Sequence, residues 1–209
     1  AAAEMVAKHL VLLVEDASME AFMSALLPRL LPEGRSFEVH PFQGKPDLLS
    51  KLEARLRSYA SWLPADSRIV VVVDRDRDAC RDLKRKMEAM AHRAGLRTPS
   101  SPGRSAWQVV NRIAVEELEA WYFGDWSAVK TSMPKVPPNV PRRQAFRNPD
   151  AIAGGTWEAF ERVVQASGYF KNGLAKIDAA RAIGRHIEPA RSVSPSFRAF
   201  AEAIADSVA

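Results

Sequence analysis

Five β-branched residues run without interruption from Ile69 to Val73 and empty into the acidic stretch Asp74-Arg75-Asp76-Arg77-Asp78. A short segment with no polar face reads as a strand covered on both sides, the habit of a parallel sheet enclosed by helices. Parallel neighbours require crossover connections, so this one run commits the chain to strands alternating with helices. In such sheets ligands gather at the carboxyl ends of the strands, where Asp74 and Asp76 fall. If extended geometry persists past Val73, these two side chains point the same way and can share one cation. The competing reading is a polar turn capping a helix that starts near Asp78, and Asp78 itself reads as that cap rather than as a ligand.

The rest of the first half fits the same scheme. His9–Val14 is a second apolar run; it ends in Glu15, with Asp16 or Ser18 placed to cap the next helix. Apolar residues at helical spacing predict helices over 18–31, around Leu48–Tyr59, and over 80–94. Phe37–Phe42 and Trp107–Ala114 read as the remaining strands, and Thr98–Ser105 as a Pro/Ser/Gly loop. After the fourth strand, Val115, Leu118, Trp121 and Tyr122 make a helical apolar stripe, with Glu116, Glu117 and Glu119 at the other positions. Glutamates in a first helical turn are favoured by the macrodipole and need no ligand to explain them.

From Thr131 to Pro149 prolines and cations dominate, which predicts a surface loop or arm. Three short helices are then expected over 157–166, 173–187 and 196–208. The expected architecture is therefore α/β and Rossmann-like. It comprises a domain over 5–129 with a parallel sheet of about four strands flanked by helices, and a Pro/basic arm with a small C-terminal helical extension packed on it over 130–209.

Thirty Lys and Arg against 25 Asp and Glu give a net charge of +5 and a pI near 9.6, which suits an anionic partner. A single cysteine, Cys80, excludes an intramolecular disulfide framework and cannot alone build a zinc site. A reducing cytoplasm is the expected compartment. The apolar stretches are too short for a bilayer, so no membrane partner is expected, and Met5 is read as the natural start of the chain.

Parallel strands bring Glu15, Asp74, Asp76 and either Glu116 or Glu117 toward one edge of the sheet. Crowded carboxylates repel one another, a cost that a hard divalent cation removes, so Mg²⁺ or Mn²⁺ is the expected occupant and phosphoryl transfer the expected chemistry. Lys171, Lys176, Arg181, Arg185 and Arg191, with Arg142, Arg143 and Arg147 before them, either hold phosphates or form a solvated face. Trp121, Tyr122, Trp126 and Trp157 read as core rather than as base-stacking platforms.

VEDASME after one strand and VVVDRDRD after a later one resemble the TOPRIM pattern, a glutamate on one strand and Asp-x-Asp on another. That resemblance implies Glu15 as metal ligand or general acid/base, Asp74 and Asp76 as metal ligands, and Glu20 as an outer or second-metal carboxylate as in OLD-type nucleases. These acids would work with Mg²⁺ on phosphodiester bonds of DNA or RNA. More extensively, LVEDASMEAFMSALLPRLLP, HPFQGKPDLL, VVVDRDRDAC, NRIAVEELEAWYFGDW, PDAIAGGTWEAFE and GYFKNGLAKIDAARAIGRHI resemble the bacterial TOPRIM-like family known as domain of unknown function 4276. TOPRIM relatives are often encoded beside ABC-type or AAA-type ATPases in anti-phage modules, which implies such a partner here. One position departs: common TOPRIM strands end in Glu-Gly, and here Asp16 stands in place of the glycine.

Two other classes remain open on sequence. LLVEDASME also resembles the acidic first-strand turn of response regulators, in which Asp74 would accept a phosphoryl group, although receivers are usually one domain of about 120 residues. The other is a TOPRIM fold without activity that only docks to an ATPase.

Overall fold

In the computed structural model, residues 6–103 and 106–209 are described. Met5, the expected start, and the last two residues of the expected 98–105 loop lie outside the described residues. Four strands form one sheet, β1 (His9–Val14), β2 (Ser36–Pro41), β3 (Ser67–Asp74) and β4 (Val109–Ala114), all parallel and ordered β2-β1-β3-β4. Helices α1 (Ala17–Leu30), α2 (Lys45–Trp62) and α3 (Cys80–Arg93) connect them in sequence. This is the expected Rossmann-like α/β sheet, and the Ile69–Val73 run is its centre, with every one of those five side chains at 0% exposure.

Alternation along the strands sorts the core into two layers. Leu10, Leu12, Val14, Val70 and Val72 face α1, while Val11, Leu13, Ile69, Val71 and Val73 face α2 and α3. Each buried aliphatic side chain contributes roughly 1.5–3 kcal/mol. Asp16 caps α1 as expected, accepting from the amides of Ser18 and Met19 at 2.9 Å each.

The second half covers the α1 face. It forms α4 (Glu119–Gly124), α5 (Trp126–Ser132), three short 3₁₀ turns within 140–151, then α6 (Thr156–Ala166), α7 (Lys176–Gly184) and α8 (Pro195–Val208). The three late helices stand where their periodicity placed them; α5 ends at Ser132, as the Pro-rich region that reads as irregular begins, and the 3₁₀ turns fall toward that region's end. α5 runs through position 129, and one apolar core joins β1, α1 and α4 to α6, α7 and α8 across it. Trp121, Tyr122 and Trp126 are buried as expected, and Trp121 packs on Phe22, Phe197 and Phe200. Among the described residues no helix is long and apolar enough to cross a membrane.

α7 lies against α1 at Gly184. A Cβ there would stand 2.9 Å from the Phe22 carbonyl oxygen and 3.1 Å from the Ala25 Cβ. Replacing Gly184 with Val forces this helix pair apart, and overpacking of this kind costs about 1–3 kcal/mol. A urea-unfolding midpoint measured for Gly184→Val should fall accordingly; an unchanged midpoint would show that the pair is not closely packed.

Candidate functional site

The strand order reverses direction between β1 and β3. β1 leads outward to β2, and β3 leads outward to β4, so the carboxyl ends of β1 and β3 border the switch point where a parallel sheet offers a crevice. Glu15 follows β1 directly and Asp74 is the last residue of β3. The Asp74 backbone amide donates to Glu15 Oε2 at 2.9 Å, so the two acids meet across that point. One Asp74 carboxylate oxygen, Oδ1, is shielded from solvent with no hydrogen-bond partner among the described residues. Burial, then the charges of Glu15, Glu119, Asp76 and Asp16, hold the Asp74 carboxyl well above the usual range. Glu15 is pushed up to about 7. Burial is the main cause, opposed by the Asp74 amide and then reinforced by Asp76.

The other predicted ligands have different partners. Strand geometry does not persist beyond Asp74: Asp76 adopts φ +50°, and its amide donates to the Glu116 carbonyl at 2.8 Å. The i, i+2 alignment expected for Asp74 and Asp76 is thus lost, because the chain leaves the sheet in a left-handed turn that a short polar side chain tolerates. Asp76 Oδ2 instead accepts from Lys45 Nζ at 2.6 Å. Asp78 binds the same ammonium at 2.7 Å and does not cap α3, whose N-cap position is Ala79. Glu116, at φ +66°, pairs with Arg75. Residues 115–118 form a turn, so Glu116 and Glu117 precede α4 rather than belonging to its first turn. Glu117 accepts from the amides of Thr156 (3.1 Å) and Trp157 (2.9 Å), supplying the cap that α6 lacks locally. Glu20 lines a cavity between α1 and α7. Among the described residues no three His, Cys, Asp or Glu side chains stand ready to hold a metal ion.

The predicted phosphate-binding cations also separate. Lys176 lies 3.8 Å from Glu119 and 4.8 Å above the Trp157 ring. Arg181 borders the α1–α7 cavity and pairs with Asp178 at 3.3 Å, while Lys171 is exposed between α6 and α7. Arg191 is committed elsewhere: it grips the buried carboxylate of Asp125 through two bonds, at 3.1 and 2.9 Å.

Residues 14–205 match the family described as Domain of unknown function (DUF4276). The chain belongs to the DUF4276 family. No curated protein and no solved structure matches it.

Two residues of this DUF4276 site were not singled out as functional from sequence. Lys45, on the first turn of α2, donates to the carbonyls of Asp74 (3.1 Å) and Arg75 (3.0 Å) as well as to Asp76 and Asp78. Burial pulls its ammonium down, but the hydrogen bonds it donates to Asp76 and Asp78, with their charges, outweigh that and raise it. Gly44, at φ +92°, aims Lys45 at the site while its amide donates to the Glu15 carbonyl at 2.9 Å. The available signal was a cation at a helix N-terminus, where the macrodipole disfavours it unless carboxylates lie nearby. Glu119 reads from sequence as part of a polar helix face; it is 3% exposed, and burial drives it up to about 7, partly offset by Lys176.

Two outcomes follow from these charges. Folded Glu119 keeps its proton between 4.5 and about 7, where the unfolded chain has lost it, so its contribution to stability falls as pH rises across that window. Glu119→Gln should therefore match the parent at the acidic end and exceed it by about 1–3 kcal/mol above pH 7. Thermal melts across the window check this; equal Tm differences at both ends would refute it. Lys45→Met strands two carboxylates and two carbonyls, and should lower the urea-derived stability by about 1–3 kcal/mol.

Proposed function

We propose that this protein is a divalent-cation-dependent phosphoryl-transfer enzyme, a nuclease of TOPRIM type acting on nucleic acid. The observation that carries this reading is the Glu15–Asp74 pair at the switch point of the sheet, with Asp74 Oδ1 shielded and unpartnered. Mg²⁺ commonly uses only one or two carboxylates and completes its octahedron with waters and substrate phosphate oxygens. A two-acid site therefore fits Mg²⁺ or Mn²⁺, although it falls short of the fuller ligand set expected from sequence. Glu15 and Asp74 would hold the ion, which would supply charge neutralisation at the transferring phosphoryl group.

The remaining residues define the setting. Lys45 and Arg75 pair with Asp76, Asp78 and Glu116, which reduces the repulsion a phosphate would meet at the turn after β3. Lys45 holds the Asp74 and Arg75 carbonyls in place, so the Asp74 side chain starts from a fixed backbone. An ABC-type or AAA-type ATPase partner and a role in anti-phage defence are part of the same proposal, supported by the sequence resemblance alone.

Incubation with single- and double-stranded DNA, RNA and tRNA in Mg²⁺ or Mn²⁺ tests the activity, alone and with a candidate ATPase. Cleavage should fall by at least about a hundredfold in Asp74→Asn and Glu15→Gln and vanish in EDTA. Cleavage that survives either substitution would remove the pair from the mechanism, and no cleavage of any substrate would point to a binding module.

A further inference from the structure

An open cavity of about 670 Å³ follows the seam between α1 and α7. Its α1 wall is built of small side chains, Ala17, Ala21, Ser24 and Ala25, with Glu20 beside Ala21. Its α7 wall presents Ile177 and Arg181, and Arg185, the cap residue just past α7, continues the same four-residue spacing. Ile177 is 43% exposed, unusual for a large aliphatic side chain. Arg185 has no carboxylate partner among the described residues, and the Arg181–Asp178 pair is exposed on both sides, so breaking it costs little.

The head of this groove lies at the acids. Ala17 follows Glu15 and Asp16 directly, and α7 begins at Lys176, which stands 3.8 Å from Glu119. Passing down α7, Ile177 comes first, then Arg181, then Arg185 about 6 Å further along the axis. Charge therefore changes along the groove, from carboxylates at its head to guanidiniums at its far end. A cation-assisted reaction on a polyanion calls for that gradient: acids where the ion binds, and cations where the remaining backbone must lie.

Resting on the nucleic-acid reading of the acid pair, we propose that the α1–α7 groove holds the sugar–phosphate backbone of a single nucleic-acid strand leading away from the site. Arg181 and Arg185 take its phosphates, and Ile177 packs against a sugar or base. Guanidiniums suit phosphate oxygens because their planar fork donates to two oxygens at once. The small α1 side chains leave room for a backbone to approach. A cavity of this size admits a short length of one strand.

Fluorescence anisotropy with a labelled oligothymidylate in EDTA tests the groove apart from catalysis, because neither cleavage nor cation bridging can contribute. The full chain should bind, and Arg181→Ala with Arg185→Ala should weaken binding by at least about tenfold while lowering the slope of log affinity against log salt by ~1.4, two phosphates at ~0.7 each. Ala21→Trp, which fills the α1 wall without changing charge, should weaken binding too. Arg57→Ala, on exposed α2 across the sheet, should leave it unchanged. Unaltered affinity and slope in the double arginine variant, an equal loss in Arg57→Ala, or preference for duplex over single strand would each overturn the proposal. Cleavage undiminished in the arginine variant would remove the groove and leave the acid pair standing. Groove-dependent binding without cleavage in any divalent cation would do the reverse.

Discussion

The hydrogen bond from the Asp74 amide to Glu15 Oε2 ties together the ends of two neighbouring strands whose connections leave in opposite directions, and the rest of the site is arranged around the electrostatic cost of placing the two acids there. Burial raises both carboxyls, with the charge of Glu15 adding to Asp74 and that of Asp76 adding to Glu15, and among the described residues neither forms an ion pair. The surrounding acids are each answered: Asp76 and Asp78 by Lys45, Glu116 by Arg75, Glu119 by Lys176, and Glu117 by the α6 amides. Demand for positive charge is thereby concentrated on one pair at one place in the sheet.

Helix positions serve the same end. Gly44 turns the start of α2 so that Lys45 reaches under the β3 loop, and Glu117 fastens the α6 N-terminus beside the acids. α7 brings Lys176 to the same spot while its body packs on α1 through Gly184. The second half of the chain therefore supplies walls and counter-charges to a site whose acids come from the first half. The shared core of α1, α4, α6, α7 and α8 makes these placements depend on one another.

Much of this was legible in the sequence, for physical reasons that also mark where legibility stops. β1 and the Ile69–Val73 strand are apolar on both faces, a pattern that few other elements produce, and Asp16 at a helix start declares its cap. The convergence of Glu15 and Asp74 followed from parallel strands alone. What periodicity could not convey was the path of the chain between elements. The left-handed turns at Asp76 and Glu116 redirect two predicted ligands toward Lys45 and Arg75, and nothing in their spacing signals a positive φ at a non-glycine residue. Asp78 resembles a cap because it precedes a helix, yet a lysine 33 positions earlier in the chain claims it. Long-range ion pairs of this kind leave no local pattern.

The account stands on a cation being held by Glu15 and Asp74. Anomalous diffraction from crystals soaked in Mn²⁺ tests this most directly. The account predicts a peak bridging the Glu15 and Asp74 carboxylates, with Lys45 still on Asp76 and Asp78. A peak at Asp76 and Asp78 with Lys45 displaced, or none near Glu15 at a Mn²⁺ concentration that saturates other sites, would contradict it.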